Sequence, residues 1–228
     1  MTSQQHDPLW STSLPSTISG STTYEMVIKK SRFITHLKHV KDVQEADEFI
    51  AAIRTQYWDA RHNCVALSLG VNAQQQRSSD DGEPSGTAGI PMLEVLRHRN
   101  LTDVVAVVTR YFGGILLGAG GLVRAYSSAV SEALDEAQII ERVAMARYLV
   151  STSHAEGGRA EYFLRDWLST HNGLFETPEY GQDVTFSVLV RPGVQEDFLA
   201  DLASFSSGQA HAEFIELSVQ DMPAEQSK

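Results

Sequence analysis

The stretch Asp103–Tyr126 constrains this chain more than any other. Val104–Val108 is an unbroken run of Val and Ala, which predicts a strand buried on both faces. Glycines at 113, 114, 118, 120 and 121 follow at once, and from Leu122 the apolar positions Ala125, Tyr126, Ala129, Val130, Ala133 and Leu134 keep helical spacing. A strand, a glycine loop and a helix in that order let backbone N–H groups face an anion, and the missing β-carbons admit a ligand or a second backbone. Arg110 stands at the loop's entrance and Arg124 at its exit. The Walker pattern is absent, and Gly118-x-Gly120-Gly121 is too short for a dinucleotide fingerprint. Gly113 and Gly114 equally suit a positive φ or close packing of helix on sheet, so anion binding and plain packing both stand.

The rest of the chain sets limits on that loop's partners. Length 228 allows one large or two small domains. No apolar run reaches membrane-spanning length and no secretory signal is visible, so a cytoplasmic protein with no membrane partner is expected. The single cysteine, Cys64, excludes a disulfide framework, and on a strand it reads as a small buried hydrophobe. Net charge is −11, unevenly spread: residues 1–143 hold 13 Lys/Arg against 16 Asp/Glu, residues 144–228 hold 5 against 13. An acidic chain is a poor nonspecific nucleic-acid binder, and nothing indicates DNA specificity. One local exception is Lys29–Lys41, with five Lys/Arg, two His and no acid, which suits either a nucleic-acid contact or a solvated strand.

Periodicity organises the chain into two α+β domains. Residues 1–21 are polar, carry Pro8 and Pro15, and are expected to be a largely disordered tail on which Trp10 and Leu14 could dock. Strands are predicted over Thr22–Ile28, Ser31–Val40 and His62–Gly70, with a helix between the last two whose N-cap is Asp42, paired with Glu45. Val71–Ser79 reads as a loop, and Pro91 opens a helix bearing Met92, Leu93, Val95 and Leu96. After the glycine loop comes a helix to about Gln138. Then follow a strand over 144–153, a helix to His171, a hairpin around Gly181-Gln182, a helix over 194–205 and a strand over 210–219. That β-α-β-β-α-β order is ferredoxin-like. Domain limits of 22–142 and 143–222 result, with a fraying tail at 223–228.

Two further constellations bear chemistry. In Asp59-Ala60-Arg61-His62-Asn63, His62 is a candidate general base or metal ligand with Asp59 as its orienter; the plainer reading is a turn held by Asp and Asn, with Arg61 paired to an acid. The loop Ser78–Thr87 clusters Asp80, Asp81 and Glu83 beside Ser85 and Thr87. Three carboxylates so close suit Mg²⁺, but they are not spaced as an EF-hand and have no histidine beside them. Capping the next helix, or pairing with Arg61 or Arg110, is the favoured reading.

Lys30-Ser31-Arg32-Phe33, Asp59–Asn63, Asp80–Gly89, Thr109–Gly114 and Leu117–Tyr126, taken together, closely resemble the YigZ/IMPACT family, across about residues 22–140. The resemblance implies a first domain like domain 2 of a small-subunit ribosomal protein, a layered α/β fold with a left-handed βαβ crossover. It implies a second domain like domain five of elongation factor G. Eukaryotic relatives regulate translation by competing for a scaffold that activates an initiation-factor kinase, but they carry an extra domain without counterpart here, so that partner is not carried over. At Leu116 the sequence departs from many bacterial members, which have lysine, and one cation is thereby missing from the proposed anion site.

The leading expectation is therefore a translation-associated, non-enzymatic regulator without a cofactor. It would contact RNA or a ribosome or translation-factor partner through the first domain. Lys30, Arg32, Arg61, Arg110, Arg124 and the amides of Gly113, Gly114, Gly118, Gly120 and Gly121 would hold phosphate, and Tyr111 or Phe112 would stack on a base. The rival is a metal-dependent phosphotransferase or hydrolase, with Asp80, Asp81 and Glu83 on the metal and His62 as acid/base. A third reading is a pure protein-interaction module.

Overall fold

The computed structural model describes residues 14–223. The chain divides into two compact units, 14–141 and 142–221 among these residues. In chain order the first contains β1 (Thr17–Ile18), β2 (Ser21–Ile28), β3 (Ser31–His39), α1 (Val43–Gln56), β4 (His62–Leu69), β5 (Gln75–Ser79), α2 (Gly89–His98), β6 (Val104–Tyr111) and α3 (Ala119–Asp135), and then the start of β7 (Ile139–Thr152).

The run Val104–Val108 becomes β6, the centre of a sheet ordered β2-β3-β6-β4-β5. All neighbouring strands are antiparallel, so β3 and β4 run in the same direction on either side of β6 and α1 makes the crossover. Side chains alternate across the sheet: Val104, Ala106 and Val108 join Phe33, Leu37, Cys64 and Ala66 under α2 and α3, while Val105 and Val107 join Val65 and Leu67 under Ile50 and Ile53 of α1. Covering both faces explains why β6 shows no polar alternation. The expected cap of α1 forms: Asp42 Oδ1 accepts from the Glu45 N–H at 2.8 Å, and Glu45 Oε2 accepts from the Lys41 N–H at 3.1 Å.

Three expectations need correction here. Val71–Ser79 is not all loop, because Gln75–Ser79 pairs with β4, Arg77 opposite Leu67; an edge strand with little to bury has no apolar alternation to betray it. The helix α3 starts at Ala119, earlier than Leu122, because Gly118 turns the chain at φ +71° and its carbonyl accepts from Leu122 N–H at 2.9 Å. The tail is ordered from Leu14 onward: Leu14 and Ile18 are buried, and Thr17 and Ile18 pair with Ile140 and Ile139 of β7. Pairing across more than a hundred residues offsets an ordering cost that local composition suggested would not be met. Trp10 and the tail beyond Pro223 lie outside the described residues.

The second unit holds the remainder of β7, α4 (His154–Thr170), β8 (Leu174–Phe175), β9 (Glu179–Tyr180), β10 (Val184–Val190), α5 (Gln195–Ser206) and all but the last two residues of β11 (His211–Pro223). Its sheet runs β11-β7-β10, with β8 and β9 both on the outer side of β10, the ferredoxin-like order expected from the sequence. The outer strand is broken in two. Phe175 faces Val188 and Glu179 faces Thr185, so one extra residue bulges between them, where Pro178 has no N–H to donate. Tyr148, Val150, Phe186, Leu164, Trp167 and Phe198 form this unit's own core.

Candidate functional site: one end of the first unit's sheet

Strand register brings the distant motifs together. Phe33 and His62 both pair with Arg110, and Val65 pairs with Ser79. The β2–β3 turn, residues 59–62, the loop 80–88 and the glycine loop therefore all leave the same end of the sheet. Across β3, β6 and β4 the strands lie about 4.8 Å apart, so this end is narrow.

Beneath it runs a buried polar chain. Glu83 Oε1 accepts from Arg110 Nη1 at 2.6 Å and from the Tyr126 hydroxyl at 2.7 Å. The Glu83 and Arg110 side chains are only 3% and 7% exposed, so this is a desolvated ion pair. Arg110 also reaches Ser31 Oγ at 3.5 Å, and its guanidinium lies against the rings of Phe33 and Phe112. Cys64 Sγ donates to the Asp80 carbonyl at 3.0 Å, and its thiol is pushed up to about 12 by burial, the facing Glu83, Asp81 and Asp80 adding to this against the lowering bond with Tyr126. That thiol is inert at neutral pH, as its place on a buried strand suggested.

The acidic loop holds itself together. Asp80 accepts N–H bonds from Gly86, Ala88 and Gly89 at 2.8 to 3.0 Å, so it closes the loop and caps α2. Burial works to raise its pKa, but the three donors together bring it below the ordinary carboxyl value. Asp81, at φ +42°, takes the Asn63 N–H at 2.7 Å and pairs with Arg54 at 3.1 Å. Thr87 is buried and its hydroxyl donates to the Pro84 carbonyl at 2.6 Å, whereas Ser85 is exposed.

The metal reading of Asp80, Asp81 and Glu83 fails on this geometry. Their oxygens point to three different sets of donors, and among the described residues no group of three or more His, Cys, Asp and Glu is placed to hold a metal ion. The His62–Asp59 pairing also fails. Asp59 accepts from the Tyr111 hydroxyl at 2.7 Å, and His62 Nδ1 lies 2.9 Å from the Asp81 carbonyl. The acceptor that His62 meets lies 19 residues away in sequence, across a loop, where local spacing gives no sign of it.

The basic residues divide sharply. Arg110 is corrected from a phosphate ligand to a buried partner of Glu83. Arg32 is exposed but held by both oxygens of Glu25, and it lies over the Tyr111 ring. Lys29, Lys30, Arg61 and Arg124 are exposed and have no hydrogen-bond or ion-pair partner among the described residues. Lys29 and Lys30 form a two-residue turn with φ +45° and +66°. A β-carbon on Gly113 would sit 2.0 Å from the Lys30 backbone, and the Gly113 N–H donates to Ser31 Oγ at 3.1 Å, so the glycine loop is fastened to this turn. Gly114 and Gly118 take positive φ, while Gly120 and Gly121 lie in the first turn of α3, which has no side-chain cap and no acid.

The sequence reading missed the loop's apolar tip. Phe112, Ile115 and Leu116 are 50%, 42% and 82% exposed. Val27, Trp58, Ile90 and Val123 are exposed at the same end, and among the described residues of this unit only Val43, at the opposite end, joins them as a large exposed apolar side chain. Its signal was available: Ile115-Leu116 lies among glycines, where no periodic face calls for burial.

Known proteins resemble this chain over both units. The family model described as the Impact N-terminal domain matches residues 29–134, and a domain of unknown function, DUF1949, matches 154–209. IMPACT family member YvyE of Bacillus subtilis is 44% identical over 85% of this chain and 88% of its own length. IMPACT family member YigZ of Escherichia coli is 39% identical over 83% and 92%. A crystal structure of a hypothetical protein, 36% identical, aligns over 90% of this chain and 98% of that one with a TM-score of 0.55. With the segments at this sheet end inside the matched region, and with that identity sustained over most of both chains, the protein belongs to the IMPACT family.

Proposed function

We propose that the chain is a translation-related regulatory protein that acts by docking another protein at the open end of the first unit's sheet. Family membership supports the regulatory context. The observation that carries the docking is the concentration of this unit's large exposed apolar side chains, Leu116 foremost, at one end of one sheet. Exposed apolar surface gathered in one region marks interaction sites, whereas scattered residues do not. Catalysis finds little support here, because Asp80 and Asp81 are taken up by backbone N–H groups and Arg54, and Glu83 by Arg110 and Tyr126.

RNA contact is the second reading, favoured by Lys29, Lys30, Arg61 and Arg124, which have no partner among the described residues, at the sheet end that carries the exposed Phe112 ring. A tagged full-length chain, used to capture partners from extract with and without RNase, separates the two. We expect a protein retained after RNase and lost when Ile115→Ser and Leu116→Ser are combined. Retention of RNA alone would put the second reading first.

A further inference from the structure

We infer that the segment received at this surface is acidic and amphipathic, a reading that rests on the protein docking proposed above. The surface has an apolar centre, Phe112, Ile115 and Leu116, carried on one short loop that cannot bury them itself. Its borders toward the β2–β3 turn and α3 are cationic, while Asp59, on the Tyr111 side, accepts from the Tyr111 hydroxyl. Lys29 and Lys30 are fastened to the loop by the approach of Gly113 to the Lys30 backbone, and Arg124 follows one turn into α3. From Val104 to Ser131 the chain has no Asp or Glu, and the first turn of α3 offers N–H groups and positive dipole with no carboxylate to meet them.

Complementarity decides the class of occupant. A neutral or basic segment covering the apolar tip would strip water from three cations without replacing it, which disfavours wrong partners strongly. RNA phosphate would satisfy the cations but leave two aliphatic side chains without a stacking face. An anionic bilayer would also suit the tip and the cations, so phosphatidylserine vesicles enter the test as the outcome that would decide for it. A segment with large apolar side chains on one face and Glu or Asp at its margins satisfies both parts.

Fluorescence anisotropy of the full chain tests this with three synthetic helical peptides: one with Leu and Phe on one face and Glu elsewhere, its Glu→Gln counterpart and its Glu→Lys counterpart. Polyuridylate and phosphatidylserine vesicles complete the panel. The acidic peptide should bind, the Gln peptide at least about tenfold more weakly, and the Lys peptide not detectably. Ile115→Ser with Leu116→Ser should cost at least about tenfold, and Lys29→Glu with Lys30→Glu should exchange preference from the Glu to the Lys peptide. Circular dichroism melting of each variant confirms that the fold is retained. Equal binding of all three peptides, or no exchange on charge reversal, overturns the acidic assignment while leaving RNase-resistant capture, and so the docking itself, intact. Binding of polyuridylate or vesicles alone overturns both.

Discussion

Glu83 carries an ion pair and a hydroxyl in a place where none of the three can be solvated. Its role is best seen by removal: Glu83→Ala leaves the Arg110 charge buried against Phe33 and Phe112 without its carboxylate, a loss of about 3–5 kcal/mol. Urea denaturation would measure it, and a loss below about 1 kcal/mol would mean that the pair is not sequestered. Cys64 gives a pH signature of its own. Unfolded, the thiol ionises near its ordinary value of 9.0; folded, burial holds it protonated up to about 12. Across that window the unfolded chain holds fewer protons, so stability falls as pH rises, by up to about 1.4 kcal/mol per pH unit for this group. Tyr126, raised by burial and by Cys64, acts in the same direction above its ordinary 10.0. Cys64→Ala should flatten the decline in urea midpoint between pH 9 and 11, and an unchanged slope would assign the decline to other groups.

The β2–β3 hairpin spends stability at its turn. Two-residue hairpins want Asn-Gly because both central residues take positive φ, and here Lys29 and Lys30 occupy those positions. Lys29→Asn with Lys30→Gly should therefore raise stability by about 1–2 kcal/mol while weakening partner binding. Thermal melting beside the peptide titration would show whether the two effects part in this way; a destabilised variant would argue that the lysines' stems pack the turn. The elements that the sequence made legible were those with a burial period. β6, α1 with its Asp42 cap, and the apolar face of α3 were read from spacing, because their side chains answer to a core. β5 was not, since an edge strand of Gln, Arg and Ser has little to bury. The site was legible as a set of segments but not as a set of partners. Glu83 with Arg110 was one of two pairings open to that loop, and Asp59 with Tyr111 depends on strand register that no local pattern reveals.

At the scale of the whole molecule, charge separates the two readings of the surface. No lysine occurs between Lys41 and Lys228, and residues 144–228 carry 13 acids against 5 bases. Within the Lys29–Lys41 segment, Arg32 and Lys38 are already paired, with Glu25 and Glu45. At physiological salt the screening length is about 8 Å, so a bound polyanion senses the cations it touches far more than the total of −11. With Arg61, four cations at this sheet end have no partner among the described residues, and each releases about 0.7 of a counterion from single-stranded RNA, which bounds the slope of log affinity against log salt at about −3. If protein docking is the function, homopolymeric RNA should bind more weakly than about 10⁻⁴ M at 0.15 M salt, and the triple change Lys29→Ala, Lys30→Ala, Arg124→Ala should remove most of what remains. Filter binding of polyuridylate across a salt series measures both quantities. Micromolar or tighter affinity with a slope near −3, lost in the triple variant, would make this surface an RNA site first. A slope much steeper than −3 would require cations beyond it.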